Sequence, residues 1–170
     1  NHQLAEMAGK LPVADTATLN PDILRKREKI GIIVSDWNSD VTLRLLKGCC
    51  TVFEKAGLLN HLVIVHVPGA FEIPITISRL LQRKKCSGVI ALGCVIKGET
   101  KHDDYLNHSI AKTLLELAVH FDKPVINGVL TTNTKKQAED RSGGKWGNKG
   151  AECAGAMLRL LGTFKIIDTL

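Results

Sequence analysis

The chain has 170 residues, 44% of them hydrophobic but only 4% aromatic, and carries a formal net charge of +6. That length suits one domain with a core of Val, Ile, Leu and Ala, and no apolar run reaches the roughly 18 residues of a membrane span. The basic residues are scattered, as in Arg25–Lys26–Arg27 and Lys135–Lys136, beside no zinc-finger, RRM or KH signature. Nucleic acid is therefore not an expected partner, and the charge suits anionic small substrates or plain solubility.

Residues 1–28 are polar and broken by Pro12 and Pro21. They read as an N-terminal arm, docked on a neighbouring subunit or disordered, and lack the basic start and apolar stretch of a signal peptide. Residues 29–170 read as a single domain. Four β-branched, nearly continuous apolar runs follow, at Ile30–Ser35, Leu62–Val67, Gly88–Ile96 and Val125–Leu130. Such runs suit parallel strands covered on both faces. Between them the apolar residues take a helical period. Leu45, Cys49, Val52 and Ala56 share one face, and Gly57 can end that helix. Ile73, Ile77, Leu80 and Leu81 mark a second helix, with Pro74 tolerated in its first turn. Leu106, Ile110, Leu114, Leu117 and Phe121 mark a third, Thr134–Arg141 a short one, and Ala151, Ala154, Met157, Leu158 and Leu161 the last. Strand then helix, four times, predicts right-handed βαβ units: an α/β fold with an open four-stranded parallel sheet between helix layers.

Ligands of open α/β sheets bind beyond the carboxyl ends of the strands. The segments found there are Ser35–Asn38, Pro68–Glu72, Lys97–His102 and Thr131–Thr134. Trp37 could stack on a flat heterocycle or be a core or interface aromatic. Pro68–Gly69 makes a tight turn, and Glu72 at the following helix start is either a simple cap or a hydroxyl-binding carboxylate. Gly98–Glu99–Thr100 precedes a helix, where free N–H groups and the helix dipole suit phosphate, although no Walker A loop is present. His102, at the same helix start, is a natural proton shuttle or a polar surface residue. His102 and Asp103 point to different sides of a helix, and no metal-ligand spacing occurs, so no metal is expected.

The five cysteines, Cys49, Cys50, Cys86, Cys94 and Cys153, include no CxxC and read as reduced thiols acting as small hydrophobes. Cys94 could serve as a nucleophile with His102 as base. Its apolar neighbours would raise its pKa, which favours a structural role. The stretch Arg141–Gly150, with its glycines and lysines, reads as an anion-binding loop or as a flexible linker.

Together these segments resemble the lumazine synthase family over roughly Lys29–Leu161. Pro68–Pro74 reads PGAFEIP and Leu92–His102 reads LGCVIKGETKH, both family motifs. Gly128–Thr132, Gln137–Ala138, Arg141 and Gly147–Gly150 follow in family order. The resemblance implies a flavodoxin-like three-layer αβα fold and a transferase of riboflavin biosynthesis that needs no cofactor. It implies that Trp37 stacks on a pyrimidine, with Asn38 beside it. Ala70, Phe71 and Glu72 line the pocket, Glu72 binding ribityl hydroxyls. Cys94, Val95 and Ile96 run along the pyrimidine edge, Glu99 and Thr100 meet the phosphate, and His102 is the general acid–base. Arg141, for phosphate, and Lys149 come from the adjacent subunit.

Two positions depart from the family pattern. Asn127 stands where the family has a Phe that covers the pyrimidine from the neighbouring subunit, and Asp103 replaces a usual aromatic. The cysteines, read as reduced thiols, imply a cytoplasmic protein, and the resemblance implies a homo-pentamer. The short Arg141–Lys149 segment favours assembly of pentamers into an icosahedral shell, with riboflavin synthase a further expected partner. A non-catalytic flavin-binding protein, a structural shell protein and a Cys94 hydrolase are the competing readings.

Overall fold

The computed structural model describes residues 22–83, 86–98 and 102–170, His102 by its backbone only. Strand β1 (Lys29–Ser35) leads to helix α1 (Ser39–Lys55). Strand β2 (Leu62–Val67) follows, then α2 (Ile73–Arg83), β3 (Cys86–Ile96) and α3 (His102–Phe121). After β4 (Val125–Thr132) come the short α4 (Lys135–Arg141), a hairpin of β5 (Ser142–Gly144) and β6 (Gly147–Asn148), and α5 (Lys149–Ile167).

The four long strands form one parallel sheet in the order β2-β1-β3-β4, with Ile32 facing Ile64 on one side and Ile90 on the other. The unbroken apolar runs are explained by two cores. Side chains alternate across a strand. Ile30, Ile32, Val34, Ile90 and Leu92 therefore point to the layer of α1 and α5, where they meet Leu45, Phe53, Met157 and Leu158. Ile33, Val89 and Ala91 point the other way, to Ile73, Ile77, Ile110 and Leu114 of α2 and α3. This is the flavodoxin-like three-layer arrangement expected from the sequence. Gly57, at φ +71°, turns the chain after α1 as its position suggested.

Three differences from the sequence reading stand out. Thr131 and Thr132 are the last residues of β4 rather than a loop past it. The Arg141–Gly150 stretch is an ordered hairpin, not a linker. Gly143 and Gly147 turn it with φ of 115° and 82°, and the Trp146 N–H donates to Asp140 O at 2.8 Å. Asn148 then fastens it: its Nδ2 donates to Arg44 O on α1 at 2.9 Å, and its Oδ1 caps α5 by accepting from Ala151 N at 3.1 Å. Finally, Ile23 and Leu24 of the arm are buried on the chain's own α1–α5 layer. No described helix is long and apolar enough to cross a membrane.

Candidate active site

The carboxyl ends of β1, β2 and β3 open onto a cleft of about 380 Å³. Its walls include Trp37, Ala70, Phe71 and Glu72, and its floor Cys94, Val95 and Ile96. Seven residues singled out from the sequence thus meet around one space. Asp103 and Leu106 of α3 complete the rim, and neither was expected as a wall residue. A helical i, i+3 relation between them was the only available signal.

Backbone bonds fix the walls. The N–H of Trp37 donates to Pro68 O at 3.0 Å and that of Asp36 to Val67 O at 2.8 Å, clamping the β1 and β2 ends together. Thr42, buried in α1, donates through Oγ1 to Ser35 O at 2.7 Å and ties the helix to the end of β1. Asn38 sits between them in the left-handed region, φ 58° and ψ 46°. An Asn tolerates that conformation better than most residues. Its Nδ2 donates to Cys94 O at 3.0 Å, so it joins β1 to the floor of the cleft.

Trp37 and Phe71 are each 73% exposed, so within this chain neither is a core aromatic, and both offer a bare face to a flat ligand. Glu72 does cap: its Oε2 accepts from Gly69 N at 3.0 Å. The residue remains exposed at the cleft with its second oxygen available as an acceptor. Asp103 takes an unexpected part. Its Oδ2 accepts a hydrogen bond from the Gly98 N–H, one of the amides that the sequence left free for an anion. Cys94 is 2% exposed, and burial, with the Asp40 charge adding to it, pushes its thiol up to about 11. A thiol so protonated is a poor nucleophile near neutral pH.

Other expected residues lie apart from this cleft in the single chain. Arg141 ends α4, exposed. Lys149 opens α5, its Nζ 3.3 Å from Glu152 Oε2. Asn127 is exposed on the edge strand β4, and its Oδ1 accepts from Val129 N at 3.0 Å. His102 opens α3 one residue before Asp103, but its side chain, like Glu99 and Thr100, lies outside the described residues. Among the described residues no group of three or more His, Cys, Asp or Glu could hold a metal ion.

A parallel sheet between two helix layers, with a small-molecule cleft at the strand ends, defines an α/β enzyme of the open-sheet kind. Residues 27–165 match the family model for 6,7-dimethyl-8-ribityllumazine synthase. Relatives of that name include one from Parabacteroides distasonis, 42% identical over 78% of this chain and 83% of the relative. Another, from Cytophaga hutchinsonii, is 43% identical over 77% and 83%. One from Thermus thermophilus is 41% identical over 85% and 94%. The chain belongs to the 6,7-dimethyl-8-ribityllumazine synthase family, transferases of riboflavin biosynthesis that act on small molecules and assemble as oligomers.

Proposed function

We propose that the chain condenses 5-amino-6-(D-ribitylamino)uracil with 3,4-dihydroxy-2-butanone 4-phosphate to give 6,7-dimethyl-8-ribityllumazine, in the cytoplasm. The observation that carries this reading is the convergence of Trp37, Phe71, Glu72 and the Cys94–Ile96 floor on one cleft. In this reading the pyrimidine stacks on Trp37 and lies along the backbone of Cys94, Val95 and Ile96. Ala70 and Phe71 wall the pocket, and Glu72 accepts hydrogen bonds from ribityl hydroxyls. Asn38 holds the floor by its bond to Cys94 O.

The substrate amine attacks the ketone and one water leaves as the imine forms. Elimination then expels phosphate, and ring closure releases a second water. Each step moves protons and none needs a protein nucleophile, which agrees with the protonated Cys94. His102 is assigned the proton transfers, and Glu99 and Thr100 the phosphate. Aligning two substrates can remove up to about 7–11 kcal/mol of barrier in favourable cases, so positioning carries much of the catalysis.

Arg141 and Lys149 lie outside the cleft of their own chain, which supports their serving the cleft of a neighbour. Leu115 and Val119 on α3, 70% and 84% exposed, offer an apolar face for such a neighbour. The assembly proposed is a homo-pentamer, with pentamers joined in an icosahedral shell and riboflavin synthase as a further partner. Asn127 would then meet the pyrimidine edge of the neighbouring site with an amide in place of an aromatic face.

The test mixes the purified, assembled chain with both substrates and follows lumazine absorbance and fluorescence. Product above the uncatalysed background, reduced about 10²–10⁴-fold by His102→Ala, is the expected result. No product from a folded, assembled chain that still binds lumazine would replace this reading with non-catalytic binding.

A further inference from the structure

The opposite end of the sheet carries a second hollow, of about 580 Å³. The turn Arg25–Glu28 forms one wall, the start of β3 at Cys86 and Ser87 another, and Lys123 before β4 a third. These segments precede their strands, so the hollow lies at the amino ends, a full sheet length from the candidate active site.

The cationic turn is built rather than merely exposed. Ile23 and Leu24 anchor it in the core at 4% and 7% exposure. Glu28 N donates to Arg25 O at 2.8 Å, and Glu28 Oε2 accepts from Arg25 N at 2.6 Å. Glu28 O is held by His61 Nδ1 at 2.8 Å, and Lys29 Nζ donates to Asn60 O at 2.6 Å. Glu28, the one carboxylate in the wall, is thus engaged with backbone. The ion pairs found among the described residues use His66, Lys112, Lys135, Lys136 and Lys149, and none uses Arg25, Lys26, Arg27 or Lys123. Four cationic residues and a single carboxylate line this hollow. A concave wall of one sign concentrates its field. Arginine forks match phosphate oxygens in pairs, and the Ser87 hydroxyl adds a neutral donor.

We propose that this hollow is a second anion site, taking the phosphate of a small molecule up to nucleotide size. An excess of several positive charges calls for an anion of at least two negative charges, which phosphate esters and free phosphates supply. A hollow of about 580 Å³ suits a compact ligand better than a nucleic-acid strand.

Isothermal titration of the assembled full chain with inorganic pyrophosphate, at low and moderate salt, tests this. Orthophosphate and AMP arms separate a free phosphate from an organic one. The double variant R27Q/K123Q should weaken one binding event roughly tenfold or more, because charge-assisted bonds to phosphate are among the stronger ones. R141A should leave that event in place, and the charge-preserving R27K/K123R should restore most of it. Lumazine formation by R27Q/K123Q should stay at the parental rate, which also shows that the variant folds. Pyrophosphate binding that is unchanged in R27Q/K123Q, or lost entirely in R141A, overturns the proposal. So does displacement of pyrophosphate by a 20-nucleotide single strand with a steep salt dependence, which would make the surface a polyanion track.

Discussion

Replacing Gly150 with alanine tests how α5 is seated, and through it how Lys149 and the hairpin are held. Gly150 is buried in the first turn of α5, against the backbone of α1. An added Cβ would lie 2.6 Å from the Leu45 carbonyl carbon and 3.0 Å from Asn148 Oδ1, and closer still to the Leu45 oxygen. Carbon atoms in contact sit at roughly 3.5–4.0 Å, so the first turn of α5 must retreat by about 1 Å. Overpacking costs about 1–3 kcal/mol, and since the obstacle is backbone rather than a pliant side chain, the upper end applies. The retreat also strains the Asn148 cap, worth about 1 kcal/mol. Alanine's better helix propensity returns up to about 1 kcal/mol. The net loss is about 3 kcal/mol, or a Tm lower by roughly 6–12 °C for a chain of this size. Thermal unfolding of both proteins at one fixed concentration measures it, because association shifts Tm. A Tm within about 2 °C of the parent would show that α5 has slack at this contact and refute the reasoning.

Three further outcomes are expected. With iodoacetamide at pH 8, Cys50, the one half-exposed thiol, should be modified first and Cys94 much later, read by peptide mass mapping; early labelling of Cys94 would revive a nucleophilic role. The hydrogen bond from Lys135, 2.7 Å away, holds the Asp40 carboxyl below its ordinary value. A depressed carboxyl contributes stability that is present above its unfolded pKa and lost as pH falls through the folded one, so on the acid side this tie between α1 and α4 weakens as Asp40 takes up its proton. Lys135→Ala should raise the Asp40 midpoint in an NMR titration, and an unmoved midpoint would deny the pairing. At Asn38, alanine should cost about 1 kcal/mol more than glycine in denaturant unfolding, because only alanine pays for the positive φ. Equal losses would place the whole effect in the bond to Cys94 O.

The sheet and its helices were legible because continuous apolar runs and helical periods report directly on a strand covered twice and a helix covered once. The cleft was legible as far as it depends on that topology: Trp37, Glu72 and Cys94 reach one space because each follows or ends a strand. What escaped the sequence depends on side chains reaching back to distant or neighbouring backbone. Nothing in Asn38 itself announces a bond to a carbonyl 56 positions away, nor does Asp103 announce that it will occupy the Gly98 amide. The hairpin escaped for a different reason. Its two short strands carry no apolar alternation, and two glycines with positive φ read equally well as a linker. Arg141 and Lys149 were assigned to a neighbour's cleft only through family likeness, since spacing along one chain says nothing about a second copy.

The pairing of α1 with α5 has a consequence for how the chain is made. The strands β1, β2 and β3 and the helix α2 can assemble while the chain is still growing, since synthesis releases neighbours in nearly the order in which they pack. Leu45, Cys49 and Phe53 can pack early on Ile30, Ile32 and Val34, but part of their cover comes from Met157, Leu158 and Leu161. Until that stretch leaves the ribosome, the part of this face that α1 does not cover stays greasy and open to strangers. The Asn148 latch onto Arg44, spanning 104 positions, can engage only after both ends have emerged. A half-made chain of this protein is therefore a natural client for chaperones, and a stalled one a seed for aggregation.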